Sequence, residues 1–194
     1  YDITYGNSTL VATGSSGTIL TSSDGSSWDN RTFGTSNTLN GVTYGNSTFV
    51  TVGDSGTILT SSDGTTWTSR TSGTTEGLRG ITYENSTFVA VGESSTILTS
   101  SDGTTWTSVS VGDSGKLWTS VTSPTSNVLH GVTYGNNNFV AVGGIVYQSG
   151  SQGNIVRSTD NGLSWENVTS ATVSSVTEYW LNGVTYGNNT FVAV

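Results

Sequence analysis

The phrase Val42-Thr43-Tyr44-Gly45-Asn46 returns around Tyr5, Tyr83, Tyr134 and Tyr186, with tyrosine spacings of 39, 39, 51 and 52 residues. Self-similarity at a near-fixed period constrains a fold more than local propensity does, because each unit must be one supersecondary element that buries its apolar face against copies of itself. After a short polar turn containing Asn, each phrase is followed by a second apolar run, as in Phe49-Val50-Thr51-Val52, Phe88-Val89-Ala90-Val91 and Phe139-Val140-Ala141-Val142. Two such runs around an Asn turn make a β-hairpin. A glycine-containing turn leads to a third run, Thr57-Ile58-Leu59-Thr60, with copies at Thr18 to Thr21 and Thr96 to Thr99. A fourth run opens with tryptophan at Trp28, Trp67, Trp106 or Trp165.

Four short strands in a period near 40 residues correspond to one blade of a β-propeller. The absence of a 3.6-residue periodicity excludes helical repeats. A parallel β-helix is the alternative, but its coils are usually shorter and lack the hairpin alternation. The expected fold is therefore all-β, a single propeller of four-stranded antiparallel blades, with repeats at about 1–39, 40–78, 79–129 and 130–181 and a partial one at 182–194. The first hairpin occurs five times and the second half-blade four times. That mismatch, with a first residue in mid-repeat, predicts either a piece of a longer chain or a blade completed by another chain through edge pairing.

Between the third and fourth strands stands Ser61-Ser62-Asp63-Gly64-Thr65-Thr66-Trp67, repeated as Ser22 to Trp28 and Ser100 to Trp106. The fourth copy, Ser158 to Trp165, is one residue longer and reads S-x-D-x-G-x-S-W. These turns resemble the Asp box of BNR/sialidase-type repeat propellers, a family that includes sialidases and photosystem-assembly-factor propellers. The resemblance covers nearly the whole chain but reaches only the scaffold, and the residues weighed below make a non-catalytic member the expectation. In such a turn Asp accepts backbone N–H bonds, Gly supplies the permissive dihedral and Trp covers the turn. Asp24, Asp63, Asp102 and Asp160 are thus expected to be structural, not metal ligands or catalysts.

Composition narrows the partners. Five Lys and Arg against thirteen Asp and Glu give a net charge of -8, and no basic cluster could neutralise a phosphate backbone, so no nucleic acid is expected. No apolar run approaches a membrane span, so no membrane insertion is expected. The lack of cysteine leaves the redox compartment open. A single lysine, Lys116, and N-x-S/T sequons at Asn7, Asn30, Asn46, Asn85, Asn167 and Asn188 suggest an extracellular or cell-surface protein with these asparagines as candidate glycosylation sites, although a chain this rich in Asn, Ser and Thr produces several sequons by chance.

The resemblance raises sialidase chemistry, which needs an arginine triad and a Tyr nucleophile assisted by Glu. Arg31 and Arg70 fall three residues after their tryptophans, on the outermost strand, and Arg157 begins the fourth box. Only Arg79 is placed to face a central pocket, so no triad assembles. Glu178 and Tyr179 are adjacent and would point to opposite faces of a strand. Asp54, Glu76, Glu93, Asp113 and Glu178 lie in turns outside the box. They are expected to be solvated, with a paired-carboxylate glycosidase as the alternative. The one histidine, His130, has no motif that would make it a metal or nucleophile site. No cofactor, metal or enzymatic activity is expected.

The repeat varies most tellingly just before its first strand. Leu39, Leu78, Leu129 and Leu181 and Gly41, Gly80, Gly131 and Gly183 are constant, while Asn40, Arg79, His130 and Asn182 stand between them. In a propeller these four would ring one mouth of the central channel as a polar binding surface. Two insertions break the period, one carrying Trp118 and Pro124 and the other Tyr147 and Gln148. Trp118, Tyr147, Tyr179 and Trp180 are candidates to stack on a sugar or partner, or else to cover blade edges. The expected role is adhesion, recognition or surface building through a protein or glycan at the cell exterior. The alternatives are a carbohydrate-active enzyme, an assembly factor, or a polymer-forming subunit that self-associates through the incomplete blade.

Overall fold

The computed structural model describes residues 1–31, 33–108, 125, 127–144, 154–168 and 181–194. The first blade comprises β1 (Asp2–Gly6), β2 (Thr9–Thr13), β3 (Ile19–Ser22) and β4 (Asp29–Asn30). The second comprises β5 (Leu39–Gly45), β6 (Thr48–Gly53), β7 (Ile58–Ser61) and β8 (Thr68–Arg70), and the third β9 (Leu78–Glu84), β10 (Thr87–Gly92), β11 (Ile97–Ser100) and β12 (Thr107–Ser108). The fourth comprises β13 (Val128–Gly135), β14 (Asn138–Gly144), β15 (Asn154–Ser158) and β16 (Glu166–Val168), and β17 (Val184–Gly187) with β18 (Thr190–Ala193) forms a final hairpin. Each set is an antiparallel meander in chain order. The innermost strands β1, β5, β9, β13 and β17 succeed one another side by side. Leu39, Leu78 and Leu129, which the period assigned to the ends of repeats, belong instead to the innermost strand of the following blade.

The tight turn of the first hairpin explains its asparagine. In blade two Asn46 and Ser47 have φ of 45° and 58°, and the other four hairpins repeat this pair of left-handed residues. Their right-handed strand twist matches such a turn, and Asn tolerates the left-handed region better than most residues. The sequon asparagines Asn7, Asn46, Asn85 and Asn188 therefore have a backbone reason to be there, and all are exposed, as are Asn30 and Asn167 on outermost strands.

Among the described residues, three apolar cores of one design lie between successive blades. Val11 and Ile19 of blade one meet Leu39, Val42, Phe49, Leu59 and Trp67 of blade two. Val50, Val52 and Ile58 meet the same set in blade three, and Val89, Val91 and Ile97 the set in blade four. Alternation along each strand thus sends one face backward and one forward. Phe49, Phe88 and Phe139 are fully buried and lie 4.4–4.8 Å, centroid to centroid, from Tyr44, Tyr83 and Tyr134 across the hairpin. Those tyrosines press on glycine. A Cβ at Gly6 would stand 2.1 Å from the Tyr44 ring, and one at Gly45 2.0 Å from Tyr83.

Several apolar side chains of the first blade and the last hairpin are exposed. Ile3 and Tyr5 are 54% and 65% exposed, and Trp28 is 38% exposed against 6% for Trp67 and 8% for Trp106. At the other end Val192 and Val194 are 51% and 73% exposed, and nothing lies within 4 Å of a Cβ built on Gly187.

Candidate functional site

The third-to-fourth-strand turns close on themselves. In blade two the Asp63 carboxylate accepts from the Thr65 and Thr66 N–H groups, both at 2.8 Å, and from the Ser61 hydroxyl at 2.9 Å. Gly64, at φ 76°, donates its N–H to Ser61 Oγ, and Trp67 Nε1 donates to Gly64 O at 3.0 Å. Asp24 with Trp28, and Asp102 with Trp106, repeat the arrangement. The backbone N–H donors hold Asp24, Asp63 and Asp102 well below the usual carboxylate range. At Asp160 burial opposes this, but the Ser164 hydroxyl and N–H and the Ser158 hydroxyl still lower it. The extra residue of the fourth turn leaves Trp165 Nε1 without a partner. That residue, Asn161, instead latches blade four to blade three, donating to Thr87 Oγ1 at 2.9 Å and accepting from Asn85 Nδ2 at 3.1 Å. A Cβ on Gly64 would meet Val11 and Thr9, so the turn also seats each blade on its predecessor.

A different geometry governs the residues between the constant Leu and Gly. Leu39 pairs with Gly53 and Gly41 with Val52, so Asn40 is the extra residue of a β-bulge. Arg79 is skipped likewise between Leu78–Gly92 and Gly80–Val91, and His130 between Leu129–Gly143 and Gly131–Val142. A bulge frees one residue from the ladder and re-aims its side chain. Repeated in three successive innermost strands, it delivers three polar side chains to the same end of the blades. In the last hairpin Asn182 is exposed, and its N–H donates to Val194 O at 2.6 Å.

The bulged residues are joined by carboxylates from the neighbouring turns. Asn40 Nδ2 donates to Asp54 Oδ1 at 3.0 Å and to Leu78 O of the next blade at 2.9 Å. Arg79 donates to Asp54 Oδ1 at 2.7 Å and to Glu93 Oε1, and Glu93 Oε2 accepts from Gly77 N–H. Asp54 and Glu93 are thus ion-paired rather than solvated turn residues, because each follows a strand that ends beside the Arg79 bulge. The bonded set carries one cation against two anions. His130 Nε2 is buried without a hydrogen-bond partner, and burial, then the charge of Arg79, lower its pKa against the opposing pull of Glu93, keeping the ring neutral at neutral pH.

The other arginines go elsewhere: Arg31 pairs with Asp29 at 2.8 Å, Arg157 with Glu166, and Arg70 bonds Thr60 Oγ1 through Nε at 2.8 Å. Glu76 Oε2 accepts from Ser94 Oγ at 2.7 Å. Among the described residues no group of three His, Asp or Glu side chains could hold a metal ion. Trp118, Tyr147, Tyr179 and Trp180 lie outside the described residues, as do Asp113, Lys116, Pro124, Gln148 and Glu178.

The repeat comparison found Asn40, Arg79 and His130 but missed the two acids that organise them. A signal existed, since Asn40–Asp54 and Arg79–Glu93 share the same sequence separation of 14. Asp2 was missed as well. It stands where later blades have glycine, and its carboxylate accepts from Val42 N–H of the next blade at 2.9 Å.

No protein-family model matches the chain, and no curated protein sequence does. Solved structures do. One is YCF48 bound to D1 peptide, at 17% identity and a TM-score of 0.66, covering 97% of this chain and 57% of that one. YCF48 from Cyanidioschyzon merolae follows at 15% identity and TM-score 0.65, covering 98% and 61%. An ancestral GH74 enzyme matches at 13% identity and TM-score 0.58, covering 84% and 24%. The chain therefore spans a little over half the length of the two YCF48 structures. With the meander blades and their axial stacking, these matches define the class: the chain folds as a β-propeller.

Proposed function

We propose that this chain is a non-catalytic binding propeller of the Asp-box class, acting outside the cell or at its surface, and that it holds a protein segment on the face where Asn40, Arg79 and His130 converge. The observation that carries this is the triple bulge, which removes one residue per blade from the ladder and turns it to a common face. The binding of a peptide by a propeller of similar fold supports it. So does the dispersal of Arg31, Arg79 and Arg157 onto separate partners, which is unsuited to a triad converging on one substrate carboxylate. Exposure of all six sequon asparagines supports an exterior location.

Because both charged groups of Asp54 and Glu93 face one guanidinium, the face favours a segment rich in N–H donors or basic side chains. On a peptide array, bound basic peptides are expected to weaken about tenfold in an Asp54→Asn/Glu93→Gln variant. The control Asp29→Asn/Glu166→Gln removes the same charge at the outer strands and should change affinity less than about twofold. Equal losses in the two variants would reduce the effect to net charge and discard the face as the site.

A further inference from the structure

We propose that the groove between the connectors at 33–37 and 71–75 is a binding site for a carboxylate-bearing sugar, gripped by the guanidinium of Arg70. The groove is about 730 Å³ and open to solvent. That lies within the roughly 300–1,000 Å³ of small-molecule clefts. It lies beside blade two and uses none of the bulged residues, so it is a site separate from the one proposed above.

The case begins with a comparison of two arginines in the same place. Arg31 comes directly after the outermost strand of its blade and Arg70 is the last residue of its own, and both donate Nε to a threonine of the third strand, Thr21 at 3.2 Å and Thr60 at 2.8 Å. Arg31 is then neutralised by Asp29, two residues back on its own strand. The residue two back from Arg70 is Thr68, and among the described residues no carboxylate pairs with Arg70. Threonine fixes the Nε edge of the guanidinium, so its Nη groups remain to donate as a planar fork. Such a fork matches a carboxylate with two parallel bonds.

The walls agree with this. In a chain with thirteen acidic residues and five Lys and Arg, the groove lining contains no carboxylate and one cation, Arg70. The remaining lining is mainly hydroxyl and amide, with Phe33 supplying an apolar face. Hydroxyls that both donate and accept suit the hydroxyls of a sugar, and an aromatic face suits the C–H side of its ring. The walls are also preformed. Asn37 Nδ2 donates to Thr57 Oγ1 at 2.8 Å, Ser72 Oγ to Thr74 O at 3.0 Å, and Glu76 N–H to Thr74 Oγ1 at 3.0 Å, so little side-chain freedom remains to be lost on binding.

The test is an NMR titration of the full chain with glucuronate, glucose, and the tripeptide Gly-Gly-Phe with a free C-terminus. Glucuronate is expected to shift amides of the two connectors, with affinity at least about tenfold above that of glucose, as loss of a charged bidentate contact implies. Arg70→Gln should abolish that preference, Arg70→Lys should restore part of it, and Arg31→Gln should leave it intact. Unchanged melting of Arg70→Gln would show that the loss is not unfolding, and partial recovery with Lys tests this independently. Asp54→Asn/Glu93→Gln should not alter glucuronate binding, which separates this site from the bulge face. The proposal is overturned if glucuronate fails to bind, if Arg70→Gln or glucose matches it, or if the tripeptide binds more tightly, which would make the groove a peptide-carboxylate site.

Discussion

Replacing Phe88 with alanine is expected to destabilise the chain by about 3–5 kcal/mol, the range for deleting a fully buried aromatic ring. Phe88 is fully buried in the core between the second and third blades, with Tyr83 at 4.4 Å and Trp106 at 6.2 Å between ring centroids. Truncation removes its transfer free energy and leaves a cavity whose walls are two rigid sheets, so collapse is limited. Position matters too. Blades contact only their neighbours, so stability is close to a sum of blade and interface terms, and an interior interface links everything on either side of it. Leu163→Ala, at a residue 58% exposed, should stay within about 0.5 kcal/mol of the parent. Urea unfolding followed by tryptophan fluorescence tests the pair, and equal midpoints for the two variants would refute this picture of the inter-blade core.

The propeller was legible because its information is repeated and local. The hairpin turn, the Ser-Asp-Gly-Trp turn and the Tyr–Phe pair each depend on contacts within about forty residues, and each recurs, so one copy checks another. Asn40, Arg79 and His130 stood out for the same reason, as departures from an otherwise constant phrase. What could not be read was the effect of one blade on the next. The spacing of 14 relates Arg79 to Glu93 across its own hairpin, but nothing in it shows that the same guanidinium reaches back across a blade to Asp54. Nor does it show that the bulge is what brings these side chains together, since a bulge is visible only once two strands are paired. The Arg70 groove is a third case. Its walls come from connectors of two different blades, and its emptiness of acids is a property of the assembled surface rather than of any segment.

Gly56→Ala should cost about 2–5 kcal/mol, by two additive causes: left-handed strain of roughly 1–2 and overpacking of roughly 1–3. Gly56 has φ 66°, and a Cβ there would stand 2.1 Å from Thr74 O and 2.8 Å from Ser72 Oγ. The nearer atom is backbone, held by a connector whose Thr74 N–H and Ser72 Oγ bond each other, so it cannot swing aside as a side-chain tip would. Blade three contains the internal comparison. Ser95 occupies the equivalent turn position at φ 58°, yet carries a Cβ and uses its hydroxyl to donate to the carbonyls of Thr125 and Asn127. There the following connector accommodates the side chain, so the overpacking cause is absent and the strain alone remains. Ser95→Gly would relieve that strain but forfeit the two contacts, and its net change should fall within about 1 kcal/mol of zero. Thermal melts of the two variants separate the causes. A mild Gly56→Ala would mean that the connector at 71–75 yields, and because the same connector forms one wall of the Arg70 groove, it would also mean that this wall is not preformed.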